Sequence, residues 1–270
     1  MSDHDQAVAH VEAVSEGTVR FAVRERTAWV TLNRPEVRNA VSGKVSAAVE
    51  WAVDHVEASD DLWVGVLTGT GTMFCAGADL KEVAAGRGHT INSPKGGFAG
   101  FVAYPRTRPW IAAVNGVAVG GGLELTLACD LAVAVDTAEF GLPEVSRGIL
   151  AGAGGIFRLP RSLPRAIALE LIATGGRLSA DRAAALGLVN RVVPAEDLER
   201  TAQELADAIC ANAPVSVRES MAVAREAYRL SDEEGWQRTQ QAASRVLATE
   251  DSKEGPRAFV EKRRPEWKGR

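Results

Sequence analysis

Apolar positions alternate with polar ones over residues 18–24 and 28–33, and β-branched residues are frequent in both stretches. This pattern predicts two strands of a hairpin. From 42 to about 57 the period changes to that of a helix. Val45, Val49, Ala52, Val53 and Val56 fall on one face, and Ser42 stands where a side-chain oxygen caps the first turn. Residues 62–68 (LWVGVLT) are an apolar run of strand length, followed over 69–78 by a loop of small residues. Asp79 is placed to cap the next helix. Between 84 and 100 Gly, Ser, Pro and Asn accumulate, which predicts a mobile loop. A strand at 110–115, a turn at 116–120 and a helix at 121–129 come next, then strands at 131–135 and 139–141. After about 194 the strand pattern stops, and helices are predicted at 195–211, 214–228 and 232–249. Three regions result: a tail (1–17), an α/β domain of repeated strand–strand–helix units (18–194), and a helical region (195–270) suited to a lid or an oligomerisation lobe.

Composition narrows the function classes. Of 270 residues, 46% are hydrophobic and 24% charged, as in an ordinary globular chain, which excludes disorder and collagen-like repeats. The longest charge-free apolar stretch, 110–123, is interrupted by Asn115 and four glycines. It falls short of the roughly 20 apolar residues a spanning helix needs. The N-terminal MSDHDQAVAH has neither the basic nor the apolar segment of a secretory signal, so a cytoplasmic protein with no membrane partner is expected. A net charge of −4 argues against nucleic acid as a partner. Cys75, Cys129 and Cys210 are widely spaced with no CxxC pair, which predicts reduced thiols and no zinc site.

Several chemistries fail on spacing. A dinucleotide fingerprint requires glycine at the sixth position, where counting from Gly120 gives Leu125 and from Gly152 gives Phe157. No phosphate-binding G-x-x-x-x-G-K-[ST] and no nucleophile elbow G-x-S-x-G occur. His4, His10, His55 and His89 have no partners at metal-ligand spacing, so neither a metal nor histidine chemistry is expected.

Glycine has a different use here. A carbonyl oxygen that gathers negative charge during reaction is stabilised by two main-chain N–H groups aimed at one point, and small residues let a ligand reach them. Phe74–Leu80 (FCAGADL) is one small-residue loop running into a helix start, and 115–124 (NGVAVGGGLE) is another. Helix N-termini add unpaired N–H groups and positive partial charge. Gly121 and Glu124 are three residues apart, hence on one face of the first turn. A second carboxylate, Glu144, follows a short strand and Pro143. Spacing alone leaves other readings open: the glycine triplet as a strand-to-helix packing turn, and Glu144 as a first-turn residue answering a helix dipole.

The ordered set FCAGADLK (74–81), AAVNGVAVGGGLE (112–124), CD (129–130), FGLPE (140–144), GAGG (152–155), ALGLVN (185–190) and FVEKR (259–263) resembles the enoyl-CoA hydratase (crotonase) family over about 19–264. The resemblance implies a crotonase-like spiral of ββα units with a helical C-terminal oligomerisation region, assembled as a trimer or a hexamer. It implies reversible hydration of 2-enoyl-CoA to 3-hydroxyacyl-CoA in fatty-acid β-oxidation or a related degradation, with no metal or redox cofactor. It also implies an oxyanion hole of the Ala78 and Gly121 N–H groups, with Glu124 as base and Glu144 as acid. Coenzyme contacts are implied at Glu36, Val37, Arg38, Ala76, Gly77, Ala78, Asp79, Leu80 and Lys81, and at Phe259 and Lys262 from the C-terminal region. For the lysines a solvated surface cation, and for Phe259 helix packing, stay open. Isomerisation, dehydration of a specialised substrate such as carnitinyl-CoA, and non-catalytic acyl-CoA or RNA binding are the rival readings on this scaffold.

Overall fold

A computed structural model describes residues 3–270. Helix α1 (Asp3–Ser15) comes first, then the antiparallel hairpin β1 (Val19–Arg24) and β2 (Thr27–Leu32). The tail expected at 1–17 is thus helical where it is described, and residues 1–2 lie outside the described residues. Ala7 and Val11, one turn apart on α1, are buried in the core beside β1 and α2 (Gly43–Ala58). Ser42 caps α2, its side chain accepting from the Val45 N–H.

The chain then repeats one unit. Strand β3 (Val64–Gly69) leads to β4 (Met73–Cys75) and α3 (Leu80–Ala84); β7 (Trp110–Val114) leads to β8 (Val117–Val119) and α4 (Gly121–Ala128). Strand β9 (Leu131–Val135) leads to β10 (Glu139–Gly141) and a 3₁₀ turn, Pro143–Arg147. Residues 116–120, expected as a turn, therefore contribute β8. The segment expected as a mobile loop, 84–100, folds into a 3₁₀ turn (Gly88–Ile91) and a small hairpin, β5 (Asn92–Ser93) with β6 (Gly97–Phe98). It buries Ile91, Phe98 and Ala99, and Glu50 on α2 accepts from the Gly96 N–H at 2.8 Å.

The first strand of each unit joins a six-stranded sheet, β1-β2-β3-β7-β9-β12, parallel from β2 onward and closed by β12 (Arg191–Val193). The second strands form a smaller sheet, β11-β10-β8-β4, parallel except for β11 (Arg177–Ser179). Helices α5 (Gly155–Ser162), α6 (Arg165–Thr174) and α7 (Ala180–Ala185) complete the core region. Helices α8 (Leu198–Cys210), α9 (Pro214–Glu226), α10 (Asp232–Leu247) and α11 (Asp251–Glu261) follow. Of these α8 packs on the large sheet, whereas α9, α10 and α11 bury few residues and leave Tyr228, Trp236, Leu247, Phe259 and Val260 exposed.

This topology positions the site. Because β4, β8 and β10 are parallel neighbours, their carboxyl ends share one edge, where α/β sheets bind ligands. The loops leaving that edge are Ala76–Asp79, Gly120–Gly122 and Leu142–Glu144.

Candidate active site

The first loop is held by a strand-like bridge. The Val41 N–H donates to the Gly77 carbonyl (2.8 Å), and the Asp79 N–H donates to the Val41 carbonyl (2.9 Å). In an extended chain alternate residues face opposite sides. With Gly77 and Asp79 bonded to Val41, the N–H of Ala78 turns the other way. Asp79 itself is buried, caps α3 by accepting from the Lys81 N–H, and pairs with Arg34 at 2.9 Å. Its side chain is therefore committed to holding the loop.

The second loop lies against the first. A methyl on Gly77, whose φ is +94°, would stand 2.9 Å from the Gly121 nitrogen. Gly120, at φ +58°, lets the chain turn from β8 into α4, and its N–H donates to the Gly141 carbonyl at 2.9 Å. Gly121 is the first residue of α4, so its N–H has no acceptor within the helix. Among the described residues no hydrogen bond is made by the N–H of Ala78 or of Gly121. Phe98 covers the far side: a methyl on Gly121 would meet its ring at 2.4 Å.

The two carboxylates converge on the same place. Glu124, 3% exposed on the first turn of α4, accepts from the Gly155 N–H at 2.8 Å. Burial pushes its carboxyl up to about 7, with the charge of Glu144 adding to the rise and the Gly155 bond opposing it. Glu144 reaches back over the glycine turn, where a methyl on Gly120 would lie 3.1 Å from Glu144 Oε1. Its Oε2 is buried without a hydrogen-bond partner, and burial raises this carboxyl as well. An unpaired buried carboxylate oxygen is costly, and it marks a place where a polar ligand atom fits. Two carboxyls of raised affinity for protons beside two unpaired N–H groups can move protons next to a developing oxyanion.

Of the implied coenzyme contacts, the 3₁₀ turn Pro35–Val37 and Arg38 lie along the first loop, the Ala76 N–H donating to the Arg38 carbonyl at 3.0 Å. Glu36, Arg38, Leu80 and Lys81 are exposed there. Phe259, 85% exposed, and Lys262 lie on and just after α11, whose main contact is α10, so one copy of the chain does not bring them to the site. Two contributors went unassigned in the sequence: Phe98 and the Gly155 donor. The GAGG motif held a signal for Gly155, since a glycine opening a helix presents its N–H freely. Phe98 depends on contacts distant in sequence.

Fold and edge together define a crotonase-fold protein with a two-carboxylate, two-donor site. The family model described as enoyl-CoA hydratase/isomerase matches residues 23–270, and the chain belongs to that family. A carnitinyl-CoA dehydratase of Proteus mirabilis is 42% identical over 259 residues, 94% of this chain and 97% of its own. Among solved structures, an enoyl-CoA hydratase from Mycobacterium tuberculosis H37Rv superposes with a TM-score of 0.91 at 41% identity, over 94% of this chain and all of its own. A carnitinyl-CoA hydratase from Mycobacterium avium gives a TM-score of 0.73 at 45% identity, over 94% of this chain and 99% of its own.

Proposed function

We propose that the protein is a hydro-lyase that adds water reversibly across the C2=C3 bond of a 2-enoyl-CoA to give a 3-hydroxyacyl-CoA. The observation that carries this reading is the meeting of Glu124 and the unpaired Glu144 Oε2 beside two free main-chain donors. Ionised Glu124 takes a proton from water as its oxygen bonds C3. The electron pair of the double bond moves toward the thioester, whose oxygen becomes an enolate held by the N–H groups of Ala78 and Gly121. Protonated Glu144 then delivers a proton to C2. Dehydration runs through the same steps backwards. Coenzyme A enters as part of the substrate, and no metal or redox cofactor has a part in these steps. Glu36 to Arg38 and Ala76 to Lys81 would carry the coenzyme along the first loop.

A second reading on the same scaffold is dehydration of a specialised hydroxyacyl-CoA of the carnitinyl type, favoured by the names of the Proteus mirabilis and Mycobacterium avium relatives. The deciding experiment follows enoyl-thioester absorbance with crotonyl-CoA and longer enoyl-CoAs on one side, and 3-hydroxybutyryl-CoA and carnitinyl-CoA on the other. Parent turnover of none of them overturns the proposal. A homotrimer, or a hexamer of two trimers, accounts for the exposed apolar residues of α9 to α11 and lets a neighbour supply Phe259 and Lys262. Sedimentation showing only monomer at micromolar concentration would count against it. A cytoplasmic place in fatty-acid β-oxidation or a related acyl-CoA degradation fits this chemistry.

A further inference from the structure

Arg158 is a half-buried cation on α5 that no step above uses. Its Nη1 donates to the Ala153 carbonyl at 3.1 Å, and its Nη2 donates to the Val102 carbonyl at 2.6 Å. Ala153 lies two residues before Gly155, the donor to Glu124. Val102 closely follows Phe98, the ring that covers Gly121. The guanidinium also fills the space beside Gly154: a methyl there would stand 2.2 Å from Nη1, at a φ of +111°. One side chain thus bridges the turn that orients Glu124 to the segment that walls the oxyanion loop.

We infer that Arg158 is a positioning residue for Glu124, holding the 153–155 turn, whose Gly155 N–H orients that carboxylate, in register with the Phe98 wall. The inference rests on the proposed role of Glu124 as base. Its logic is electrostatic and geometric together. A cation near a buried carboxylate favours the charged form, while the desolvation of both groups sharpens the effect. The charged groups around Glu124 are Glu144, which opposes ionisation, and Arg158, which favours it. Around Arg158 stand Glu124, the like charges Arg161 and Arg229, and the Cys129 thiol, which burial pushes up to about 12. Among these, Glu124 and Arg158 are the opposite-charge pair.

Arg158→Gln removes the charge and Arg158→Lys keeps it with fewer donors. In Arg158→Gln the acid limb of the kcat/KM profile should move up by roughly half a unit to one unit. The rate at neutral pH should fall about ten- to a hundred-fold, mostly in kcat, as expected for a misplaced group. Arg158→Lys should restore the limb but only part of the rate. A structural role alone would lower Tm and leave the limb in place, and that result overturns the inference. Carbon-13 NMR titration of the Glu124 carboxyl, assigned by its loss in Glu124→Gln, gives a readout independent of turnover. Its midpoint should rise in Arg158→Gln and return in Arg158→Lys; an unmoved midpoint in Arg158→Gln overturns the inference. If the parent hydrates no enoyl-CoA, the proposed reaction falls while this titration still decides the role of Arg158.

Discussion

Glu124 and Glu144 stand at equivalent points of successive ββα units, yet their surroundings differ sharply. In α4 all residues but Leu127 are buried, Glu124 included, and its carboxylate is oriented by the Gly155 N–H. In the Pro143–Arg147 turn no residue is buried, Val145 is exposed as are Ile149 and Leu150 just beyond it, and one oxygen of Glu144 is unpartnered. A group set in the core keeps its direction through reaction. One on a surface turn can shift with a ligand atom that changes position. The proposed base, which has to aim a water, and the proposed acid, which has to meet a changing carbon, fit these two settings in that order.

Breaking the pair chemically gives the largest expected effect. Glu124→Gln and Glu144→Gln should each lower kcat by about 10² to 10⁴-fold, with KM near the parent value because neither group grips the coenzyme. Steady-state rates with crotonyl-CoA and its hydrated product check this. A variant with parent kcat has no part in the reaction. Next comes packing around the buried member. Gly122→Ala would put a methyl, fixed by the α4 backbone, 2.0 Å from the main-chain carbonyl oxygen of Cys75. Neither side can yield cheaply, so a loss of about 3 kcal/mol or more is expected from urea unfolding.

The pH dependence of stability sharpens the contrast. The folded Glu124 carboxyl titrates at about 7 against an ordinary 4.5, so folding favours its neutral form. That contribution is complete below about 4.5 and is lost as pH rises through about 7, roughly 3 kcal/mol in all. Glu124→Gln should flatten urea midpoints measured between pH 5 and 8. Glu144→Gln, at a half-buried position, should flatten them less. Equal flattening by both would erase the distinction between the two settings.

Much of this was legible locally and some was not. The first hairpin, the Ser42 and Asp79 caps and the Gly121–Glu124 turn are written in alternation, capping side chains and spacing, which neighbours along the chain settle. Helix α1 was missed because Ala7 and Val11 are the only hydrophobic residues it buries, too few for an amphipathic signal. Helix α11 lies in the region expected to be helical, but its bounds were not legible because Gly255 and Pro256 interrupt its sequence. The 84–100 segment looked like a loop because the bonds that order it come from Glu50 and Ser46 on α2. Likewise, nothing local ties Arg158 to Val102, 56 residues away.

The smallest effect is expected at Gly148, which ends the turn carrying Glu144. Its φ is +68°, a methyl there would meet nothing within 4 Å, and its N–H closes the turn on the Glu144 and Val145 carbonyls. Gly148→Ala therefore adds no clash and costs only the left-handed conformation, about 1 kcal/mol. For a chain of this size that lowers Tm by about 2 to 4 °C. Gly148→Asn, better suited to that conformation, should lose less. If Glu144 tolerates small movements, kcat in both variants stays within about three-fold of the parent, well short of the loss from removing an acid–base group. A drop in kcat near that of Glu144→Gln, at an almost unchanged Tm, would show instead that the surface turn is as exacting as the buried helix.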